Sequence, residues 1–172
     1  MTMSPRLRKF GLTLHIAASV GLLGSIAGFL SLALAGLTSR DGQMVRAAYL
    51  AMELTAWFVI VPLALASLLI GIVQSLGTAW GLFQHYWVFA KLLLAVFATT
   101  VLLLQMQTIG YMRRVAAETT LSPEDLSEAR LSLVIHAGGG LLVLLVPLVL
   151  SVYKPRGRIR LRGRLASVIW LD

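Results

Sequence analysis

No cysteine occurs among the 172 residues. That absence excludes disulfides, thiolate-bound metals and iron–sulfur clusters held by this chain. Charge is scarce as well. Asp, Glu, Lys and Arg make up 13% of the residues, where an average soluble domain carries about 25%. Apolar residues take their place, at 58% of the chain, and the mean hydropathy is +0.86. That balance is not an ordinary soluble domain.

The apolar residues gather in four runs, 10–37, 47–76, 86–112 and 131–153. Each exceeds the ~20 residues that cross ~30 Å of hydrocarbon as a helix. The expected fold is all-α, an integral membrane four-helix up-down bundle. Its spans are about 10–37, 46–76, 86–112 and 129–153, within one domain over 1–155, followed by a basic cytoplasmic tail over 156–172. The first run is longer than the ~7–15 apolar residues of a signal peptide, so it reads as an uncleaved span.

The net charge of +8 is unevenly spread. Arg6, Arg8 and Lys9 precede the first run, and Lys154 with Arg156, Arg158, Arg160, Arg162 and Arg164 follows the last. The loops carry mixed charge. By the positive-inside rule both termini face the cytoplasm of a bacterial-type inner membrane. Membrane lipids are the expected partners, with the five tail arginines binding anionic lipid rather than nucleic acid. Ala166 to Trp170 resembles a short interfacial anchor.

Local signals refine the spans. Trp80, Phe83, Tyr86 and Trp87 form an interfacial aromatic belt. Ser122 and Pro123 suit an N-cap and a first helical residue, which starts helix four around Pro123. Pro62 and Pro147 should free the carbonyls of Phe58 and Val143 and kink their helices. Gly21, Gly24, Ser25 and Gly28 have the spacing of close helix packing, and a homo-oligomer is conceivable.

Four ionisable side chains fall inside the runs: His15, Glu53, Lys91 and His136. A charge at membrane depth costs ~2.5–3.5 kcal/mol on insertion scales, so such groups are usually paired or functional. Helix rise places His15 and Lys91 about 8–9 Å from the cytoplasmic side. It places Glu53 and His136 about 10 Å from the outer side. Glu53 and His136 are therefore expected as a secondary polar pair. Arg46, Tyr49, Glu53 and Trp57 form one stripe of helix two, and Lys91, Ala98, Leu102 and Gln105 one face of helix three. Gly139 and Gly140 lie beside His136 and leave room for a flat ligand or for a neighbouring helix. Each group also has a plainer role: His15 bonding a carbonyl, Lys91 snorkelling to the surface, His85 exposed at an interface.

The first run reads Leu14-His15-Ile16-Ala17-Ala18-Ser19-Val20-Gly21 and the third Trp87-Val88-Phe89-Ala90-Lys91-Leu92-Leu93-Leu94. The last ends Ser151-Val152-Tyr153-Lys154-Pro155. This series resembles the HemJ-type protoporphyrinogen oxidases and the related CopD-like four-helix membrane proteins. The resemblance implies a bundle that binds b-type haem, with His15 and Lys91 as the cofactor-binding pair and His15 on the metal. Arg6, Arg8 or Lys9 could then reach the propionates. The alternative is a non-enzymatic membrane protein that handles copper or is structural. Met44, Met52, Met106, Met112 and His136 fall in the outer half, and thioether with imidazole suits Cu(I). Catalytic residues and enzymatic status stay open.

Overall fold

The computed structural model describes residues 3–77, 85–118 and 126–153. It contains four long helices: α1 (Pro5–Thr38), α2 (Gly42–Gly77), α3 (Tyr86–Glu118) and α4 (Ser127–Tyr153). All four are long and apolar enough to cross a membrane, as the runs predict. α1 and α3 packs each lie against both α2 and α4, which sets α1 diagonally across from α3 in a square bundle. The surface is studded with large apolar side chains, among them Phe58, Leu104, Leu142 and Val152. In water such a surface would aggregate; in lipid it is at home. The chain is an all-α, multi-pass membrane bundle.

Capping sets the described ends. Ser4 accepts the amide of Leu7 ahead of Pro5, and Asp41 accepts the amide of Gln43 at the start of α2. The helices outrun the apolar segments, so Arg113 lies within α3 and Arg130 within α4 rather than in a loop. The expected cap at Ser122 and Pro123 lies outside the described residues; the described part of α4 starts at Ser127, after Leu126 in left-handed backbone at φ 59°. Trp80, Phe83, the five tail arginines and the 166–170 anchor lie outside them too.

Pro62 does not act by a simple kink. One turn before it, Ala56–Ile60 forms a π-turn, in which the Val61 amide reaches back to the Ala56 carbonyl. Proline has no N–H for the Phe58 carbonyl, and its ring crowds that turn; a wider turn relieves both. The extra residue also re-phases the helix. Met52, Ala56, Ile60 and Ala64 are all buried at four-residue steps. In a regular helix each such step drifts by about 40°, and the wider turn takes up part of that drift. α4, by contrast, runs through Pro147 without interruption.

The small-residue stripe of α1 is used only in part. A side chain added at Gly21 would touch Leu63 at 3.3 Å, but additions at Gly24 and Gly28 meet nothing within 4 Å. The close approach lies elsewhere. At Gly36 a Cβ would sit 2.8 Å from Cζ of the buried Tyr49.

Candidate functional site

Two polar levels flank a central cavity. At the inner level α1 and α2 interlock through glycines. The His15 ring lies on Gly71, whose added Cβ would be 3.1 Å from Cε1, and the Gln74 amide lies on Gly11, whose Cβ would be 2.9 Å from Nε2. Both His15 Nδ1 and Gln74 Nε2 are buried without a hydrogen-bond partner. One turn further in, Ser19 and Ser67 join hydroxyls at 2.8 Å.

Lys91 stands at the same end of the bundle but on the other seam. Its ammonium donates to Ser151 Oγ at 2.7 Å, and Ser151 donates to the Pro147 carbonyl at 2.7 Å. It also lies 5.3 Å from the Trp87 ring centroid. His15 and Lys91 are close enough for the lysine charge to act on the imidazole. His85 is half-buried, with its carbonyl accepting the first amides of α3 and its ring 6.3 Å from that of Trp87.

The outer level corrects the expected Glu53–His136 pair. Glu53 is ion-paired to Arg113 on α3 at 3.2 Å. His136 turns back on its own helix, and its Nδ1 lies 2.7 Å from the Ser132 carbonyl. Nor is the Arg46–Trp57 stripe uniformly interior, since Arg46 and Trp57 are exposed and Tyr49 is buried. Beside Tyr49 lies Arg130, only 1% exposed, with its guanidinium carbon 6.0 Å from the Tyr49 ring centroid. Sequence reasoning gives no signal for a buried arginine there, because Arg130 stands at the edge of the fourth span, two residues from Glu128. The serines that organise the inner level were missed because a hydroxyl hardly interrupts an apolar run.

Between the levels lies a cavity of about 380 Å³ lined by all four helices. Its apolar wall includes Phe29, Ile60, Ala64, Leu102, Leu133 and Val143. The polar lining consists of Ser67, Thr99, Gln105 and His136. Of the expected face of α3, Ala98, Leu102 and Gln105 line the space and Lys91 does not. Side chains added at Gly139 and Gly140 would meet nothing within 4 Å, so these glycines open room and do not seat a neighbouring helix. His15 and Lys91 are not among the lining residues.

The cavity histidine faces its own helix through Nδ1, which lies 2.7 Å from the Ser132 carbonyl and 3.2 Å from the Ser132 hydroxyl. A carbonyl can only accept, so the 2.7 Å contact requires the proton on Nδ1. In the neutral ring Nε2 then carries a lone pair, and it has no hydrogen-bond partner among the described residues. This is the arrangement in which an imidazole ligates a metal or accepts a proton donor. Among the described residues no three His, Cys, Asp or Glu side chains gather as a metal site. Met52, Met106 and Met112 are packed into the apolar core, and Met44 is exposed. Comparison with known protein families, curated proteins and solved structures returned no match for this chain.

Proposed function

We propose that this chain is a multi-pass protein of a bacterial-type inner membrane that takes one flat, largely apolar molecule, of the tetrapyrrole or quinone class, into its bundle. The observation that carries this reading is the cavity: apolar walls from four helices, two adjacent glycines and one imidazole with a free Nε2. Pockets that are mostly apolar with a few placed polar groups are the usual form of small-molecule sites.

A b-type haem would supply redox-active iron, and two imidazoles qualify to hold it. His15 has an orphaned buried Nδ1 and Lys91 at its level; His136 has a free Nε2 and the adjoining space. Among the described residues the cavity lining carries no cation for the two propionates, which would have to reach beyond it. Copper gains no comparable support, since the core methionines are not gathered with His136 around the cavity.

The test is purification from membranes, followed by an absorption spectrum, organic extraction and metal analysis. A flat apolar molecule should be recovered or bound at about one per chain. Gly140→Leu, which grows into open space, should abolish it. A Soret band lost in His15→Ala and kept in His136→Ala would move the site to the inner level. A folded protein that binds no such molecule would reject the reading, and stoichiometric copper would favour the alternative.

A further inference from the structure

We infer that the cavity is a binding site for the reduced, hydroxyl-bearing form of a lipid quinone, with His136 Nε2 accepting its O–H and the Gln105 amide holding its second oxygen. This rests on the reading that the cavity takes a flat apolar molecule.

Three features narrow the ligand. The first is charge. Among the described residues no Asp, Glu, Lys or Arg lines the cavity. A propionate, fatty carboxylate or phosphate buried there would lack a counter-charge, a cost of several kcal/mol per ion. The ligand is therefore neutral.

The second feature is the small number of polar groups left to serve it. Thr99 already donates to the Ala95 carbonyl at 2.8 Å, and Ser67 is engaged with Ser19. Both hydroxyls keep acceptor capacity, but the lining groups without a hydrogen-bond partner among the described residues are the Gln105 amide and His136 Nε2. Gln105 is on α3 and His136 on α4, and these helices pack against each other. The exposed lining residues Phe97 and Ile135 belong to the same two helices, so the opening faces what would be lipid. A hydrophobic ligand can enter there with its chain left in the bilayer.

The third feature is direction. The Ser132 carbonyl takes the Nδ1 proton, so in the neutral imidazole Nε2 is the acceptor. A hydroquinone donates an O–H to it. The oxidised quinone has only carbonyls and would face it lone pair to lone pair. The amide of Gln105 can donate to either form, and accepts equally from a hydroquinone. The site therefore discriminates by oxidation state through one hydrogen bond. His136 is an exposed residue that lines the cavity, and one hydrogen bond made or lost there corresponds to up to about tenfold in affinity. A tenfold preference for the reduced form raises the potential of a bound two-electron couple by about 30 mV.

The test is equilibrium binding of decylubiquinol, under anaerobic conditions, and of decylubiquinone to the full-length protein in lipid nanodiscs. Wild type should hold the quinol about tenfold more tightly than the quinone. His136→Leu should bring quinol affinity down to that of the quinone and leave the quinone nearly unchanged. Gln105→Leu should weaken both, and Gly140→Leu should abolish both while the helical spectrum is retained. Equal or tighter binding of the quinone by wild type overturns the inference, as does a quinol preference that survives His136→Leu. Binding of neither form overturns it too. In that case a co-purified tetrapyrrole would leave the broader reading standing, and the absence of any flat ligand would remove both.

Discussion

Glycine serves opposite purposes at two points on α1. Gly36 is obligatory because the ring end of Tyr49 fills the place of its side chain. Gly36→Ala should therefore destabilise by about 1–3 kcal/mol, the usual cost of overpacking a core. Gly24 faces open space. Gly24→Ala should be neutral or stabilising by up to ~1 kcal/mol, since alanine restricts the unfolded chain. Thermal unfolding of both variants in one detergent would check the contrast; equal losses would mean that Gly24 is covered. Charged pairs can be ranked in the same way. Arg113 is 48% exposed, which tempers its pairing with Glu53. A double-mutant cycle on Glu53→Gln and Arg113→Met should give a coupling of under about 1 kcal/mol. Glu53 and His136 should show no coupling. Substantial coupling between those two would restore the pair that their similar depth suggested.

At the scale of the helix, existence and depth were legible in sequence, and rotational phase was not. Length and hydropathy are local properties, so four spans, the loops and the shared level of His15 and Lys91 followed from counting. Which neighbour a polar group meets depends on helix rotation, and one residue of slip turns a helix by about 100°. The π-turn at Ala56–Ile60 adds such a slip in the middle of α2. Stripes drawn for a regular helix therefore joined exposed Arg46 and Trp57 to buried Tyr49. The cavity was legible only in outline: the α3 face and the glycines beside His136 were visible, but not the Ser132 carbonyl that its Nδ1 faces. If Pro62 causes the π-turn, Pro62→Ala should let α2 return to regular hydrogen bonding and turn Ile60, Ala64 and Ser67 partly away from the cavity. Ligand affinity should then fall about tenfold or more, with stability nearly unchanged. Affinity equal to wild type, with backbone amide protection unaltered at 56–62, would show that the turn is set by packing instead.

Across the whole molecule, an even number of spans predicts both termini on one side of the bilayer, and the positive-inside rule predicts the cytoplasmic side. A tag after Asp172 should thus be shielded in intact cells and become reachable only after permeabilisation; labelling from outside would invert the orientation. The same charges lead to a second expectation. Arg156, Arg158, Arg160, Arg162 and Arg164 lie outside the described residues but follow closely on the C-terminal end of α4 in sequence. Each basic residue near an anionic surface contributes roughly 1 kcal/mol at physiological salt. That attraction fades as the screening length shrinks from about 10 Å at 0.1 M to about 3 Å at 1 M salt. In nanodiscs containing anionic lipid, the tail arginines should be protected from trypsin at low salt and cut readily at high salt. Neutral nanodiscs should show cutting at both. Protection that persists at high salt, or that is equal in neutral lipid, would mean that the tail is held by apolar contacts or by the bundle itself and not by its charge.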